Sequence, residues 1–262
     1  MVSWQQAGEV GLVLALAAVL AFIPATPRLG RLAAWLWQSA VIIWLYALWQ
    51  WLLDRLVVAT AGAERRGRWV VHFERWLHLP SEHWTQGLVL SHPLILETAD
   101  RFYAWADFPG LGACLIYLWW FRRRRYWRAR TALIWTTTAA AFIQAVPVAP
   151  PRLVPLARVV DAGSVFHYAV YSAGGLQQPG QLTSMPSVHV LWAALVALSV
   201  IEAGGSRWRW LVVLDPIVTI FVVVVTGNHY WLDGMVALLL LALVWTAQTA
   251  VAKWRAPSLG QD

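Results

Sequence analysis

Seven apolar segments alternate with polar turns and longer polar stretches along this chain. Most of them approach the ~20 residues that a helix needs to cross the hydrocarbon core of a bilayer. Pro, Gly and clusters of Arg stand between the segments, as expected for turns between helices. The pattern predicts an all-α protein, a polytopic membrane helix bundle with six to seven transmembrane helices. The predicted spans are residues 6–23, 32–58, 111–121, 131–148, 186–201, 210–225 and 230–251.

Residues 61–107 have a different pattern, in which charged and aromatic residues are mixed. This mixture is typical of an amphipathic helix that lies in the membrane interface. A turn at residues 79–81 then separates it from a second short helix. We expect a single integral membrane domain over residues 1–262. It has two N-terminal spans in 1–60, an amphipathic extracytoplasmic segment in 61–107 and a core bundle in 108–253 that carries the candidate catalytic residues.

Composition supports a membrane protein and argues against several other classes. The 262 residues are 60% hydrophobic and 13% charged, which is not the composition of a soluble core. The 20 Trp residues suit interfacial belts, because indole is apolar with one polar edge. The net charge of +7 comes from residues that flank apolar segments, so we expect anionic lipid rather than nucleic acid as its counterpart. The lone Cys114 allows no intramolecular disulfide.

Basic residues give the predicted orientation, because Lys and Arg concentrate in cytoplasmic loops. With seven spans and an external N-terminus, all basic turns fall on the cytoplasmic side, together with the C-terminus. The outer face then receives residues 150–185, the start of the fifth span and residues 226–233. We therefore expect an integral protein of a bacterial plasma membrane with its site facing outside. The basic turns contain Arg28 and Arg31, residues 122–130, Arg207 and Arg209, and Lys253 and Arg255.

The polar stretch between the last two spans is the first candidate site. His229 and Asp233 are four residues apart. If Asn228 caps the following helix, both side chains lie on one face of its first turns. A carboxylate held against one imidazole nitrogen fixes the tautomer and leaves the other nitrogen as a base or nucleophile. The alternative interpretation is a helix cap with a buried hydrogen bond between the two side chains.

A second histidine stands at the start of the fifth span. Ser184 is predicted to cap this helix, with Pro186 in its first turn, because proline lacks the amide hydrogen that would be unsatisfied there. Ser187 and His189 then lie in the opening turns. Polar residues at the membrane edge are functional candidates.

The outer stretches together favour phosphoryl transfer. Helix N-termini bind phosphate, and Arg152, just outside the fourth span, adds a bidentate fork. Only one of the two histidines has a carboxylate at helical spacing. This asymmetry suits a reaction in which His229, oriented by Asp233, attacks phosphorus. His189 first protonates the leaving oxygen and then activates water or an acceptor hydroxyl.

Three motifs resemble the signatures of the type 2 phosphatidic acid phosphatase (PAP2) superfamily. Pro186-Ser187-x-His189 is similar to the second signature and Gly227-Asn228-His229-Tyr230-x-x-Asp233 to the third. Pro150-Pro151-Arg152, followed by Asp161, resembles the first signature of the inositolphosphotransferase-like branch. That branch includes fungal inositol phosphorylceramide synthases and is related to sphingomyelin synthases. Also similar to it are Phe73-Glu74-Arg75, Glu82, Gln86 and Tyr103, so the resemblance covers roughly residues 60–250.

The resemblance implies an enzyme that uses a phosphohistidine intermediate and needs neither a metal nor another cofactor. By motif position, His229 is the nucleophile, Asp233 its partner and His189 the acid and base. The implied substrate is a phospholipid, a sphingolipid or a polyprenyl phosphate in the bilayer, with an alcohol or inositol-type acceptor in the case of transfer. The residues assigned to phosphate or substrate binding are Arg152, Ser187, Asn228, Arg158, Asp161 and Tyr230.

Three positions depart from the family pattern. The phosphatase branch has an Arg six residues before the nucleophilic histidine, where this chain has Val223. That branch also has a Lys before the Arg-Pro pair of its first signature, and this chain has none there. Asp107 stands where the resembled branch has a His. Compensation of the phosphate charge therefore depends on Arg152, with support from Arg158, Asn228 and helix amides.

Two other classes of function are compatible with the residues alone. His189, His229 and Asp233 have the composition of a two-histidine, one-carboxylate metal site, although Arg152 and two helix N-termini would repel a cation. A transporter or scaffold is the third class, but the polar residues lie at one membrane edge rather than at the midplane.

In the outer loop, His167 is a candidate contact for a lipid head group. The residues favour neither hydrolysis nor transfer, and they give no oligomeric state.

Overall fold

A computed structural model describes residues 4–22, 27–56, 62–105, 107–162 and 181–255. Within these ranges the chain is mostly helical and has no strand, which confirms the all-α prediction. His167 lies outside the described residues, as does the side chain of Asp107. The helices are α1 (Trp4–Phe22), α2 (Pro27–Leu56), α3 (Ala63–Trp76), α4 (Glu82–Leu90), α5 (Pro93–Trp105), α6 (Asp107–Phe121), α7 (Arg123–Gln144), α8 (Val188–Ala203), α9 (Leu214–Val225) and α10 (Trp231–Arg255).

The chain divides into two compact units, Met1–Val58 and Ala59–Asp262. The first unit consists of α1 and α2, which pack along each other. Gly11 provides a close contact, since a Cβ there would lie 2.3 Å from the Trp44 indole. The same indole donates from Nε1 to Gly8 O at 3.3 Å. Small residues on one helix thus allow a large aromatic of the other to approach its backbone.

The central helix of the second unit is α8. It contacts α6, α7, α9 and α10, and most of its residues are buried. A helix that is apolar on all sides is expected where other helices surround it. The indole of Trp192 donates from Nε1 to Thr137 Oγ1 at 3.1 Å, which joins α8 to α7 through a polar contact. The N-terminus of this central helix is where the second motif lies.

Glu202, near the C-terminal end of α8, joins three helices. Its carboxylate accepts hydrogens from Arg125 Nη1 at 2.6 Å and Arg128 Nη1 at 2.9 Å, both on α7. It also accepts from Trp245 Nε1 on α10 at 3.0 Å, and the Arg128 guanidinium lies 4.2 Å from the Trp245 ring centroid. Part of the basic cluster at 122–130 is therefore paired within the protein.

The long apolar helices are compatible with a membrane protein. Among the described residues, three are long and apolar enough to cross a bilayer, namely Arg28–Leu53, Arg207–Val225 and Trp231–Trp254. The shorter apolar helices are Gln5–Ala21, Pro109–Phe121 and Val188–Ala203, at the first, third and fifth predicted spans. The fourth predicted span, 131–148, is in neither group, because the Arg and Thr residues of α7 lower its mean hydropathy.

Residues 61–107 form three helices rather than the two predicted. On one face α3 buries Gly67 and Glu74. Ser81 caps α4 through its side chain, as the predicted turn at 79–81 requires. The additional helix, α5, begins at Pro93, a residue that is favoured at the first helical position. The other face of α3 exposes Trp69, Phe73 and Trp76.

The chain that follows α7 turns through two short 3-10 helices, Pro151–Leu153 and Pro155–Ala157. Each begins with a proline, whose fixed φ suits the first position of a helical turn. Before them, the amide of Val148 donates to Leu182 O at 2.7 Å. This bond joins the loop with the first motif to the segment that leads into α8.

Candidate active site

The turn between α9 and α10 carries the histidine of the third motif. The amides of Asn228 and His229 both donate back to Val223 O at 3.1 Å. Gly227 has a φ of +71°, and a Cβ at this position would lie 2.7 Å from Val159 Cγ1. Glycine meets both requirements, because it has no Cβ and adopts positive φ without strain. The turn therefore closes tightly on the loop of the first motif.

His229 and Asp233 are in contact, as their spacing predicts. His229 Nδ1 lies 2.7 Å from Ser184 O and 3.2 Å from Asp233 Oδ2. Because two oxygen acceptors surround this nitrogen, we assign the proton of the neutral ring to Nδ1. Nε2 then keeps its lone pair on the side of the ring away from the carboxylate. His229 is 5% exposed and Asp233 is fully buried.

Asn228 does not cap α10, so the condition under which both side chains would lie on one helix face is not met. The helix begins at Trp231, and Asp233 Oδ2 accepts the amide hydrogen of Tyr230 at 2.9 Å. A carboxylate in the first turn that reaches back to the capping residue forms half of a capping box. The contact between His229 and Asp233 therefore forms across the turn that precedes the helix, rather than along its face.

The N-cap of α8 is Ser187, whereas the prediction assigned this role to Ser184. The helix begins at Val188, and Ser187 Oγ accepts the amide hydrogen of Val190 at 3.4 Å. Sequence reasoning placed the helix start too early because Pro186 is compatible with a first helical turn. In the structure, Pro186 precedes the helix instead. Ser187 remains at the site, fully buried at the helix N-terminus.

Ser184 binds both members of the His–Asp pair, a role that the sequence did not indicate. Its carbonyl oxygen lies against His229 Nδ1, and its hydroxyl donates to Asp233 Oδ2. A further bond runs from the amide of Ser187 to Asp233 O at 3.2 Å. The second and third motifs are thus connected by direct hydrogen bonds between residues that are far apart in sequence.

His189 lies in the first turn of α8 and faces the same site. Its ring stacks on Tyr103 of α5, with 4.1 Å between ring centroids and 28° between ring planes. The centroids of His189 and His229 are 6.0 Å apart. The two imidazoles are therefore close enough to act on one phosphoryl group.

Arg152 places a guanidinium beside the third-motif turn. Its backbone amide donates to Gly227 O at 3.2 Å. In the side chain, Nη1 donates to Asn228 Oδ1 and Nη2 donates to Gln181 Oε1 at 3.3 Å, while Nε lies 3.9 Å from Asp161 Oδ2. The side chain is only 4% exposed. Polar partners on several sides therefore orient it at the site.

Two other predicted site residues lie elsewhere in the structure. Tyr230 is fully buried, and its hydroxyl donates to Ala149 O at 2.8 Å, so it supports the turn from behind. Arg158 is exposed and has a φ of +56°. Its carbonyl oxygen lies 2.9 Å from His83 Nδ1. Neither side chain takes part in the contacts described for Arg152.

The wall behind the third-motif turn is formed by α3 and α4. Gln86 Nε2 donates to Val160 O at 2.8 Å and to Val225 O at 3.0 Å, and its Oε1 accepts from Val160 N at 2.8 Å. One side chain of α4 thus binds the loop of the first motif and the end of α9. Gly67 of α3 is packed so closely that a Cβ would lie 2.8 Å from the Tyr230 hydroxyl.

Asp100 on α5 belongs to the charged surroundings of Arg152, although no motif indicated it. The residue is 5% exposed. Burial raises the pKa of Asp100 to about 6, the Arg152 guanidinium opposes this shift, and Asp161 adds to it. Sequence reasoning missed Asp100 because the amphipathic pattern of residues 61–107 already accounted for a charge there.

We expect sulfate to bind beside Arg152 more weakly as the pH rises through about 6. The pKa of Asp100 is raised from an ordinary value of about 3.9, so the carboxyl is neutral below about pH 6 and competes for the guanidinium only above it. By the same shift, the stability that Asp100 contributes is present below about pH 4 and is lost as the pH rises through about 6. Calorimetric titration with sulfate at several pH values measures the effect.

Asp100→Asn should remove this step from the pH dependence of sulfate binding. Glu97→Gln is the matched control, because Glu97 lies on the same helix and pairs with Arg101. A profile that is unchanged by Asp100→Asn would contradict a role of Asp100 at the anion site.

The metal-site alternative requires His189, His229 and Asp233 to converge on one point. In the part of the chain that the structure describes, no group of three or more His, Cys, Asp or Glu side chains is arranged to hold a metal ion. His229 Nδ1 is instead directed at Ser184 O and Asp233 Oδ2. In this geometry Asp233 therefore binds the His229 ring through Nδ1.

Comparison with known proteins gives one family. A sequence model of the PAP2 superfamily, which has a helical fold, matches residues 68–247, more than half of the chain. The matched range includes all three motifs and the helices that surround them. No curated protein and no solved structure matches the chain. The chain therefore belongs to the PAP2 superfamily, a membership that suggests phosphatase or phosphotransferase activity.

Proposed function

We propose that this protein is a membrane-embedded lipid phosphatase or phosphotransferase that works through a phosphohistidine at the extracytoplasmic face. The proposal depends on one observation, the binding of His229 Nδ1 by Ser184 O and Asp233 Oδ2. This leaves Nε2 as the nucleophilic nitrogen, with His189 beside it. A nucleophile oriented by one group and adjacent to an acid and base is what covalent catalysis requires.

In the first half-reaction, His229 Nε2 attacks phosphorus. A nitrogen–phosphorus bond forms as the bond from phosphorus to the leaving oxygen breaks. Protonated His189 gives its proton to that oxygen, so the leaving group departs as a neutral alcohol. The negative charge of the bound phosphate favours this protonated form. Asp233 stabilises the positive charge that develops on the His229 ring.

In the second half-reaction, water or an alcohol attacks the phosphohistidine. Neutral His189 takes the proton of the attacking hydroxyl as the nitrogen–phosphorus bond breaks, and the electron pair returns to His229 Nε2. Water gives inorganic phosphate or a phosphate monoester, and an alcohol gives a new phosphate ester. Hydrolysis and transfer therefore differ only in the hydroxyl that reaches the site.

The phosphate oxygens are proposed to lie between Arg152 and the N-termini of α8 and α10. Arg152 supplies a guanidinium that Asn228, Gln181 and Asp161 orient. Ser187 supplies a hydroxyl at the start of α8, the N-terminus of α8 supplies amide hydrogens, and both helix N-termini supply positive dipole ends. These groups compensate the charge of phosphate without a metal ion or another cofactor.

Several features support a lipid substrate and an outer membrane site. The second unit contains long apolar helices around the site, so a substrate with an acyl or polyprenyl tail enters from the bilayer. The basic turns favour a cytoplasmic C-terminus, which supports motifs that face outward from a bacterial plasma membrane. Pro150-Pro151-Arg152 with Asp161 supports the inositolphosphotransferase-like branch, and hence an alcohol or inositol-type acceptor.

Arg152→Ala is expected to lower kcat/KM about 10- to 100-fold, because a charge-assisted contact is worth roughly 1.5–3 kcal/mol. Val223 stands where the resembled phosphatase branch has a second Arg, so that guanidinium is missing here and cannot take over. Arg152→Lys should recover only part of the loss, since an ammonium lacks the bidentate fork. Steady-state kinetics and inhibition by vanadate, a mimic of the five-coordinate transition state, measure both effects.

Arg101→Ala is the matched control for this series. Arg101 is an exposed guanidinium on α5 that pairs with Glu97, so its loss should leave kcat/KM and vanadate inhibition unchanged. Native activity of Arg152→Ala would remove Arg152 from the phosphate site. Loss of native activity on addition of a chelator would reopen the metal-site alternative.

Product analysis tests the proposed function directly. Purified full-length protein in lipid nanodiscs is given phospholipids, sphingolipids and polyprenyl phosphates, with and without inositol or ceramide, and the products are identified by mass spectrometry. Phosphate release or a new phosphate ester, together with trapped phosphoprotein, supports the proposal. The absence of any product and any trapped phosphoryl group over the whole panel would contradict it.

A further inference from the structure

A hydrogen bond from outside the three motifs holds the first turn of α10. The amide of Leu232 donates to Glu74 Oε1 on α3 at 2.6 Å. Leu232 directly precedes Asp233, whose own carboxylate binds the amide of Tyr230. Two buried carboxyl groups, Glu74 and Asp233, therefore satisfy two of the free amides at this helix N-terminus. Glu74 contacts the backbone between the proposed nucleophile and its acidic partner.

Glu74 has a second acidic neighbour, Glu82 on α4. Both residues are only 3% exposed. Neither forms an ion pair among the described residues, and Glu74 Oε2 and Glu82 Oε1 have no hydrogen-bond donor assigned to them there. Two buried carboxyls in contact cannot both ionise without a large cost in free energy. A proton on Glu74 Oε2 that is donated to Glu82 Oε1 satisfies both atoms.

We infer that Glu74 is a positioning residue for the proposed reaction and that it shares a proton with Glu82 to hold the His229–Asp233 turn in place. In this arrangement Glu74 is neutral, accepts from Leu232 N through Oε1 and donates through Oε2. It orients the turn while the pair carries one negative charge, on Glu82, instead of the two that it would carry if both carboxyls were ionised. The inference rests on the proposed function, because the turn is positioned for that chemistry.

The surroundings of Glu74 favour its neutral form. Burial and hydrogen bonding with Glu82 raise the pKa of Glu74 to about 10, and Asp233 adds to the shift, while the Leu232 amide opposes it. The charged and titratable groups that face Glu74 are Glu82 on α4 and Asp233 and Tyr230 at the start of α10. The short helix Pro155–Ala157, which also packs on α3, has no titratable side chain. Glu74 therefore keeps its proton until the pH rises through about 10.

Substitution at Glu74 separates this role from a general structural one. Glu74→Gln keeps an oxygen for Leu232 N and an N–H for Glu82, so its kcat at neutral pH should stay within a few-fold of the native value. Glu74→Ala should lower kcat on the order of 10²-fold by displacing the turn, with little change in KM. The native enzyme should lose activity as the pH rises through about 10, and Glu74→Gln should not show this step.

Infrared spectroscopy detects the shared proton in the absence of substrate. Native full-length protein in nanodiscs should show a carbonyl band of a protonated carboxylic acid at neutral pH that disappears as the pH rises through about 10. The band should be absent in Glu74→Gln. Glu64→Gln is the matched control, because Glu64 lies on the same helix and pairs with Arg68 near the surface. It should leave the band, kcat and the pH profile unchanged.

The two readouts separate failure of this inference from failure of the proposed function. If no lipid phosphate is turned over, the proposed function fails, and the infrared band still decides whether Glu74 carries a proton. If Glu74→Gln loses as much kcat as Glu74→Ala, or if the band persists in Glu74→Gln, the inference is wrong. Native kcat in Glu74→Ala would also overturn it.

Discussion

Replacing Asp233 with Asn is expected to lower kcat by about four orders of magnitude, the loss known for the equivalent change in a serine protease triad. Asp233 Oδ2 accepts hydrogens from His229 Nδ1, the Ser184 hydroxyl and Tyr230 N. An amide has the same shape, but its NH₂ group cannot accept. Its oxygen can still accept at the Oδ2 position, but the amide has no negative charge to stabilise a positive His229 ring. An NH₂ group facing His229 would in addition reverse the tautomer and leave Nε2 protonated. Single-turnover kinetics with a lipid phosphate measure the effect.

Two comparisons give this prediction its control. Thermal unfolding should show that Asp233→Asn still folds, because it keeps the volume of a fully buried side chain. Ser184→Ala removes one donor to Asp233 and leaves the His229 contact with the Ser184 carbonyl intact, so its loss of kcat should be much smaller. If Asp233→Asn stays within about tenfold of the native kcat, orientation of His229 by Asp233 is not the basis of catalysis.

His229→Ala should abolish the phosphoenzyme and reduce turnover to background. The proposed covalent bond forms at His229 Nε2, and water cannot replace the missing nitrogen in a site built around a fixed imidazole. The protein is incubated with substrate that carries labelled phosphate and is denatured in alkali, because the nitrogen–phosphorus bond is labile in acid. Native protein should retain the label, and His229→Ala should retain none.

His189→Ala is the comparison variant for this experiment. Its imidazole serves both proton transfers in the proposed mechanism, so both formation and breakdown of the phosphoenzyme should slow, while the label still accumulates on His229. If His229→Ala traps as much label as the native protein, His229 is not the nucleophile. If His189→Ala traps none and His229→Ala does, the roles of the two histidines are exchanged.

The residues that the sequence could identify are those whose partners lie within one helical turn or belong to a short motif. The spacing of His229 and Asp233 predicted a contact that the structure contains. The polar stretches at the ends of apolar segments also predicted that Arg152 and His189 lie near His229 and Asp233. Hydropathy was sufficient to predict the all-α fold. In a bilayer, the backbone N–H and C=O groups of each apolar segment must form hydrogen bonds within that segment, which requires a helix.

The local sequence pattern could not predict where helices start or which residues far apart in sequence are in contact. Asn228 and Ser184 are both good capping residues by type, yet both side chains are engaged elsewhere in the structure and neither caps its helix. Glu74 and Leu232 are 158 residues apart in sequence, so no periodicity relates them. Asp100 is similar: its position depends on how α5 packs against α9, and tertiary packing overrides local pattern there.

Gly67 links the architecture of this protein to the substitutions that it can tolerate. A methyl group at this position would lie 2.6 Å from Val154 Cγ2, 2.8 Å from the Tyr230 hydroxyl and 2.9 Å from Ala149 O. Because Ala149 O is backbone and the Tyr230 hydroxyl is bound to it, α3 itself would have to move outward, and Glu74 would move with it. Random mutagenesis under selection for activity should therefore find position 67 as intolerant of substitution as the motif residues, although no chemistry takes place there.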